Sequence, residues 1–395
     1  MMGMPVRYCV RSLYHRRARS MLTILGVAVA IFVSVMMLGL SRGLLHSTRG
    51  TASPGNVIVL SLGAESLEFS AIEPADFQRF QYDGSVAQKD GEPLASPEKL
   101  LSTFVHLPRE HTSEEPGIVA GSNGYRGAVR GVLPVAFYVH EQVRLTDGKL
   151  PVEGYEVIVG RLTAAKLGVP DTALAIGQSI SFEGEIWQIV GHFEAPGTLL
   201  ESEIWARLDD VQTASRSRDY SAVVLKAQSP TAAEELVFEL TTRTDVRLAA
   251  WSETDFFAAA ADRLRPVSMV SIAVTAMLMF AATLAGMNTM FTSILGRTRE
   301  MAILIVRGYK RLAVLTSFLL ESVLLCLAGG VLGGLPALLL NDLPMRIPMG
   351  AFRFAIDGYV VGAGLLLSLV IGAVGAIVPL VNVARRPIVD ALRSE

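Results

Sequence analysis

Four long apolar stretches constrain this chain more than any other feature. A membrane helix needs roughly 20 predominantly apolar residues to cross a hydrocarbon core of about 30 Å. Residues 21–40 (MLTILGVAVAIFVSVMMLGL) and 267–295 carry no charge, residues 312–340 carry only Glu321, and residues 358–383 again carry none. At about 1.5 Å per residue the second stretch would reach roughly 43 Å, so it either tilts or continues beyond the bilayer. The first stretch follows a basic segment, as a signal peptide would. It is longer than the usual signal core, and no small-x-small cleavage site follows it, so a membrane anchor is expected.

The formal net charge of −2 hides an asymmetry. Residues 45–266 hold 19 Lys+Arg against 31 Asp+Glu, while the rest holds 16 against 6. A basic membrane part and an acidic water-soluble part argue against a nucleic-acid partner and for a lipid membrane. The two cysteines, Cys9 and Cys326, both lie outside the acidic part. That part must therefore rest on its own core rather than on disulfides.

Orientation follows from the short basic segments. The N-terminal segment carries Arg7, Arg11, Arg16, Arg17 and Arg19. The loop after the second stretch carries Arg297, Arg299, Arg307, Lys310 and Arg311 against Glu300, and the tail carries Arg385, Arg386 and Arg393. All three are expected to be cytoplasmic. The expected organisation is a cytoplasmic basic segment (1–20), span one (21–44), an extracytoplasmic domain (45–266), span two (267–295), a cytoplasmic loop (296–311), span three (312–340), a short external link (341–357), span four (358–383) and a cytoplasmic tail (384–395).

Within 45–266, residues 56–62, 156–160 and 222–226 read as buried strands rich in β-branched residues. Residues 179–193 read as a hairpin turning near Glu183-Gly184-Glu185. Residues 163–167 and 232–242 have helical composition, 251–265 reads as a helix running into Pro266, and 65–116 reads as mostly loop. The fold class is an integral membrane α-helical protein with four transmembrane helices and a mixed α/β extracytoplasmic domain between helices one and two.

The chain carries no GxxxxGK[ST], HExxH, GxSxG or CxxC motif. No catalytic residue, cofactor site or metal site is expected, and the chain is not expected to be an enzyme by itself. His106 and His111 sit in a loop segment without a third ligand and read as solvated. Glu321, about 15 Å into span three, is costly at that depth and must face protein or water. It reads either as a polar contact across the helix bundle or as a hydrogen-bonded packing residue. Small residues recur at four-residue spacing, as in Gly329/Gly333 and Gly364/Ser368/Gly372, and let helices approach closely. In the loop, Met301, Leu304, Ile305 and Gly308 share one face of a short amphipathic helix. That face either lies on the anionic inner leaflet or docks on a cytoplasmic partner.

At this loop the sequence resembles the FtsX/MacB family of ABC transporter permeases. The resemblance rests on Asn288, Met290, Ser293, Arg297, Arg299, Glu300 and Gly308, followed by Glu321-Ser322. It extends to the closing segment Pro379 to Arg393 and to the start, Arg11-Ser-Leu and Arg19-Ser-Met-Leu-Thr23. In the inserted domain, Val129-Arg-Gly-Val132, Glu156 to Gly160 and Ile176 to Gly191 echo a MacB-like periplasmic core domain. Two departures stand out: Val306-Arg-Gly-Tyr replaces the R-A-L-G-A of many relatives, and these residues hold no phosphate-binding loop, so the ATPase is expected to be a separate subunit.

The resemblance implies a permease subunit of the mechanotransmission type. Such a subunit couples ATP hydrolysis in a separate ABC ATPase subunit to movement of the extracytoplasmic domain. A second permease copy, in a homodimer or heterodimer, and a periplasmic adaptor are further implied partners. ATP would be bound by the ATPase and by no residue of this chain. Arg297, Arg299, Glu300, Met301, Leu304, Ile305 and Gly308 would couple to the ATPase. Asn288 and Glu321 would be intramembrane polar residues, and Gly329, Gly333, Gly364 and Gly372 helix-packing residues. The implied work is export or extraction of a lipid, lipoprotein, peptide or drug. The alternative is an FtsX-like regulatory subunit that activates an extracytoplasmic cell-wall hydrolase.

Overall fold

A computed structural model describes residues 17–107, 124–347 and 350–384. The chain divides into two units. One comprises the long helices, and the other comprises Leu44–Leu264 together with Pro344–Arg353.

The long helices run Arg17–Gly50, Arg265–Leu295, Arg311–Leu338 and Gly358–Ala384. Among the described residues these four are long and apolar enough to cross a membrane. A helix pairs its backbone groups within the segment, the requirement that hydrocarbon imposes on a span, and the internal Pro336 and Pro379 each remove one N–H from spans three and four. Their packing explains the rows of small residues. A Cβ at Gly329 would lie 2.8 Å from the Ile24 carbonyl oxygen and from Val27 Cβ, both on span one. At Gly333 it would collide with the Ala28 carbonyl oxygen, and at Gly364 it would lie 2.7 Å from Val35 Cγ2. At Gly372 it would lie 2.9 Å from Val323 Cα of span three, where Ser322 Oγ also donates to the Gly372 carbonyl at 2.9 Å. All four glycines thus serve helix approach within one chain. Gly26 instead faces open space.

The inserted domain is built on a ten-stranded sheet. Its strands are β1 (Asn56–Ser61), β2 (Ala95–Val105), β3 (Tyr125–Val132), β4 (Arg144–Gly148), β5 (Glu156–Gly160), β6 (Ser179–Phe182), β7 (Glu185–Glu194), β8 (Ile204–Arg207), β9 (Ala222–Lys226) and β10 (Leu248–Ser252). The order is β10-β1-β9-β2-β3-β8-β5-β7-β4, with β6 paired to β7. The expected hairpin is β6–β7, and its turn places Glu183 at φ 51° and Gly184 at φ 82°. Both central residues of a type I′ turn need positive φ.

β2 joins the two halves of the sheet. Its first part, Ala95 to Glu98, pairs with β9, while Lys99 to Val105 pairs with β3. Pro97 falls where the strand has a neighbour on one side only, so its missing N–H breaks no ladder bond. Two cores result. One packs Val57, Val59, Phe80, Val223, Leu225, Leu236 and Leu240. The other packs Val105, Val129, Val157, Leu167, Trp187 and Ile204.

Helix Pro230–Thr242 closes the first core with Ala233, Leu236 and Leu240. Its start is set by Pro230 in the first turn and by Ser229, whose side chain accepts from the Ala232 N–H at 3.1 Å. The segment 251–265 differs from the sequence expectation. Trp251 and Ser252 end β10, the helix runs Glu253–Arg263, and a new helix begins at Arg265. Ser252 explains the break, because its hydroxyl caps the Asp255 N–H and so fixes a helix start there.

The link between spans three and four is more than a connection. Strands β11 (Pro344–Ile347) and β12 (Gly350–Arg353) form a hairpin that belongs to the inserted domain. Lys166 Nζ donates to the Ile347 carbonyl at 2.6 Å, and Arg353 lies 3.9 Å from Glu201. The chain therefore enters or leaves this domain four times rather than twice.

Gly333→Val is expected to destabilise the purified protein by roughly 1–3 kcal/mol, because the clash is with backbone that cannot turn away. A lower unfolding midpoint in detergent checks this. Gly26→Val should stay within about 0.5 kcal/mol of the native protein, and equal losses at both positions would contradict the packing described.

Candidate functional site

The segment after span two ends one helix and immediately starts another. Arg297 leaves helical geometry at φ −126° and ψ 12° and precedes the helix Thr298–Val306. Its carbonyl accepts from the Met301 N–H at 3.0 Å. At the other end Gly308 has φ +97°, a conformation favoured only by glycine, and the Tyr309 N–H returns to the Leu304 carbonyl at 3.2 Å. The loop helix is thus held to a little over two turns by residues at its own ends.

Its apolar face points inward. Met301 is buried and Leu304 and Ile305 are half-buried against Met290, Ile294, Val314, Phe318 and Leu380. These residues hold the helix to the long helices. The exposed side carries Ile303, Val306, Arg307 and Lys310, with Val306 69% exposed. Arg299 and Glu300 lie within the helix, and their side chains fall outside the described residues. So do the N-terminal basic segment 1–16, His111 and the closing motif from 385 onward.

Arg297 and Glu321 come together, which the sequence did not reveal. Arg297 Nη1 lies 3.1 Å from Glu321 Oε2 and 3.5 Å from Oε1, and both residues are buried. The guanidinium also lies 4.6 Å from the centre of the Phe318 ring. Phe318 is one helical turn before Glu321, so a single face of span three offers the cation both an aromatic ring and a carboxylate. Removing one partner of such a buried pair leaves an uncompensated charge and typically costs about 3–5 kcal/mol. The first residue of the loop is thereby tied to the acid of span three, and Ser322 beside it ties span three to span four. Asn288, grouped with Glu321 from the sequence, is exposed on span two. Depth and cost pointed to a partner for Glu321, but a separation of 24 residues has no helical periodicity that would pick out Arg297.

A second polar cluster lies inside the inserted domain. Glu98 Oε2 lies 2.5 Å from Arg130 Nη1, and its Oε1 lies 2.6 Å from His140 Nε2 and accepts from Ser96 Oγ at 3.0 Å. Arg130 makes a two-pronged bond to Glu203 at 2.7 Å on each prong, and Trp205 Nε1 donates to Glu203 at 2.9 Å. Burial works to raise the Glu98 carboxyl, but the charges and hydrogen bonds of His140 and Arg130 outweigh it and hold it at about 2. No spacing in the sequence marks this group, whose members come from β2, β3, Glu203 just before β8, Trp205 within it, and the turn after helix Ala136–Val139. Among the described residues no cluster of His, Cys, Asp and Glu could hold a metal.

Known protein families match the chain in two successive regions. Residues 20–243 match the MacB-like periplasmic core domain, and residues 272–388 match the FtsX-like permease C-terminal region. The macrolide export ATP-binding/permease protein MacB of Acinetobacter baylyi is 27% identical over 260 residues, covering 63% of this chain and 36% of that protein. The protein of the same name from Bordetella avium is 25% identical over 419 residues, covering 99% of this chain and 60% of that one. This chain therefore spans less than two thirds of the length of these relatives. The solved periplasmic region of MacB from Actinobacillus actinomycetemcomitans aligns with a TM-score of 0.38 at 11% identity, covering 55% of this chain and 97% of that one. With both regions matched in order along one chain, this protein belongs to the family of ABC transporter permeases that join a MacB-like periplasmic core domain to an FtsX-like permease region.

Proposed function

We propose that this chain is a mechanotransmission subunit, in which ATP turnover in a partner ABC ATPase is converted into movement of the inserted domain on the far side of the membrane. The observation that carries this reading is the Arg297–Glu321 pair. It gives the loop helix a rigid attachment to span three, so a push on the loop is delivered to the spans rather than absorbed by a hinge. Met301, Leu304 and Ile305 support the same attachment by packing. The surface offered to the ATPase is then the exposed side, with Ile303, Val306, Arg307 and Lys310. The basic loop and both termini face the cytoplasm in this reading, in keeping with the excess of Lys and Arg there.

The work done outside is export or extraction of an amphiphilic or lipidated cargo, with a second permease copy completing the transporter. The apolar character of the spans supports this. Glu321 is their one intramembrane acid in sequence, and an Arg neutralises it, which leaves no charged row to line a conduit for a polar solute.

Two experiments test the reading. In the first, the tagged chain is purified in mild detergent and its co-purifying ATPase is measured. Val306→Glu with Arg307→Glu should reduce recovery of the ATPase by about tenfold or more, since it reverses charge and removes apolar area at the centre of the exposed side. Lack of any ATPase with the folded native chain would overturn the proposal. In the second, Arg297→Ala and Glu321→Ala should each lower stability by about 3–5 kcal/mol and uncouple ATP turnover from transport. The exchanged pair, Arg297→Glu with Glu321→Arg, should recover a substantial part of both. Equal damage in the single and exchanged variants would show that the pairing itself contributes nothing.

A further inference from the structure

The two chain segments that join the inserted domain to spans one and two meet inside it. After the first long helix ends at Gly50, the chain is gripped at once. Thr51 Oγ1 accepts from the Leu199 N–H at 2.9 Å, and its carbonyl accepts from Gln142 Nε2 at 2.9 Å. Ser53 Oγ donates to Gln142 Oε1 at 2.6 Å, and the Ser53 N–H donates to Glu253 Oε2 at 3.0 Å. Glu253 is the first residue of the helix that leads on toward span two, and it is buried. Asn56 Nδ2 donates to the Val139 carbonyl at 3.1 Å, one residue before His140.

His140 is 2% exposed. Its Nε2 lies 2.6 Å from Glu98, which stays ionised down to about pH 2, so Nε2 keeps its proton in either charge state. The atom free to titrate is Nδ1, which has no hydrogen-bond partner among the described residues. The charged groups acting on His140 are Glu98 from β2, Arg130 from β3 and Glu253 from the helix start, and the Trp205 ring of β8 lies edge-on at 5.8 Å. Glu253 in turn is faced by His140, the Ser53 N–H, the Asn56 side chain and, more remotely, Glu98.

We propose that His140 and Glu253 form a proton-operated latch that tightens the joint between residues 51–56 and the start of the helix Glu253–Arg263 when His140 is protonated. The cation at His140 supplies the counter-charge that keeps the buried Glu253 carboxylate in place as acceptor for Ser53. When Nδ1 loses its proton, Glu253 is left buried with hydrogen bonds alone, and the joint loosens. The direction in pH follows from both groups. Burial works against the His140 cation, but Glu98 outweighs it and raises the imidazole above its ordinary value. Burial raises Glu253 as well, only partly offset by His140. Each raised group contributes stability that is complete below its unfolded value and is lost as pH rises through its folded one; for Glu253 that stability belongs to the neutral carboxyl, so the charged pair loosens with the His140 step. The loss at His140 therefore lies above the ordinary histidine range. The latch belongs to the inserted domain and operates whether or not an ATPase seats on the loop helix.

Hydrogen exchange on the full-length chain in nanodiscs tests it. Peptides covering residues 51–56, corrected for the intrinsic pH dependence of exchange, should lose about threefold or more of their protection between about pH 6 and about pH 9. His140→Gln keeps a donor for Glu98 but cannot be protonated, and it should hold the joint at its loose level throughout. Glu253→Gln keeps the acceptor for Ser53 without the charge, and it should flatten the response at the tight level. A flat native profile, or an unchanged one in His140→Gln, overturns the proposal. If His140→Gln does not fold, the native chain still decides the matter through Trp205, whose fluorescence an adjacent imidazolium quenches. A pH-dependent step that disappears in Trp205→Phe supports the latch, and the absence of any step overturns it.

Discussion

Hydrocarbon offers no partner for a polar group, and the architecture follows from that constraint. It makes each span a helix, because only a helix satisfies its backbone from within. It also forces the single span carboxylate to be met by a cation, and Arg297 is drawn in from the loop to do so. A residue that in water would contribute little becomes the attachment of a whole helix, because the alternative is a bare buried charge. The glycines act in concert. Gly329 and Gly333 bring span three against span one, and Gly372 brings span four against the backbone around Ser322 and Val323. The acid is therefore held on a helix whose neighbours cannot easily shift.

The inserted domain solves a related problem by different means. It has no disulfide among its residues, since both cysteines lie outside it. Its interior holds an alternation of charges, Glu203, Arg130, Glu98 and His140, each satisfied by the next. Such a network rigidifies a core only when every member is paired. The one atom left over, Nδ1 of His140, is where the network can respond to its surroundings.

Much of this was legible in the sequence, for definite reasons. Twenty apolar residues in a row have few other uses, so the spans were evident. The strands at β1, β5 and β9 are runs of Val, Ile and Leu buried along their whole length. β2 was not legible. Near its start, Ser96, Pro97 and Glu98 carry no apolar alternation, and they are buried where a histidine and an arginine from elsewhere meet the acid. The hairpin β11–β12 was hidden for a similar reason. Its first strand is largely exposed, and only the second is buried. In the loop, periodicity grouped Met301, Leu304, Ile305 and Gly308 on one face; the first three pack inward, while Gly308 is exposed beyond the helix end. Periodicity says that a face is apolar and is silent on what covers it.

β2 has one more consequence. Its eleven residues are shared between two cores that would otherwise be separate small domains. Each half alone lacks the strand that completes its sheet. Neither lobe can therefore melt or fold ahead of the other without exposing an unpaired strand edge, which couples their cooperativity. Through this one shared strand, paired to β9 at its start and to β3 along the rest, the two halves of the sheet form a single cooperative body.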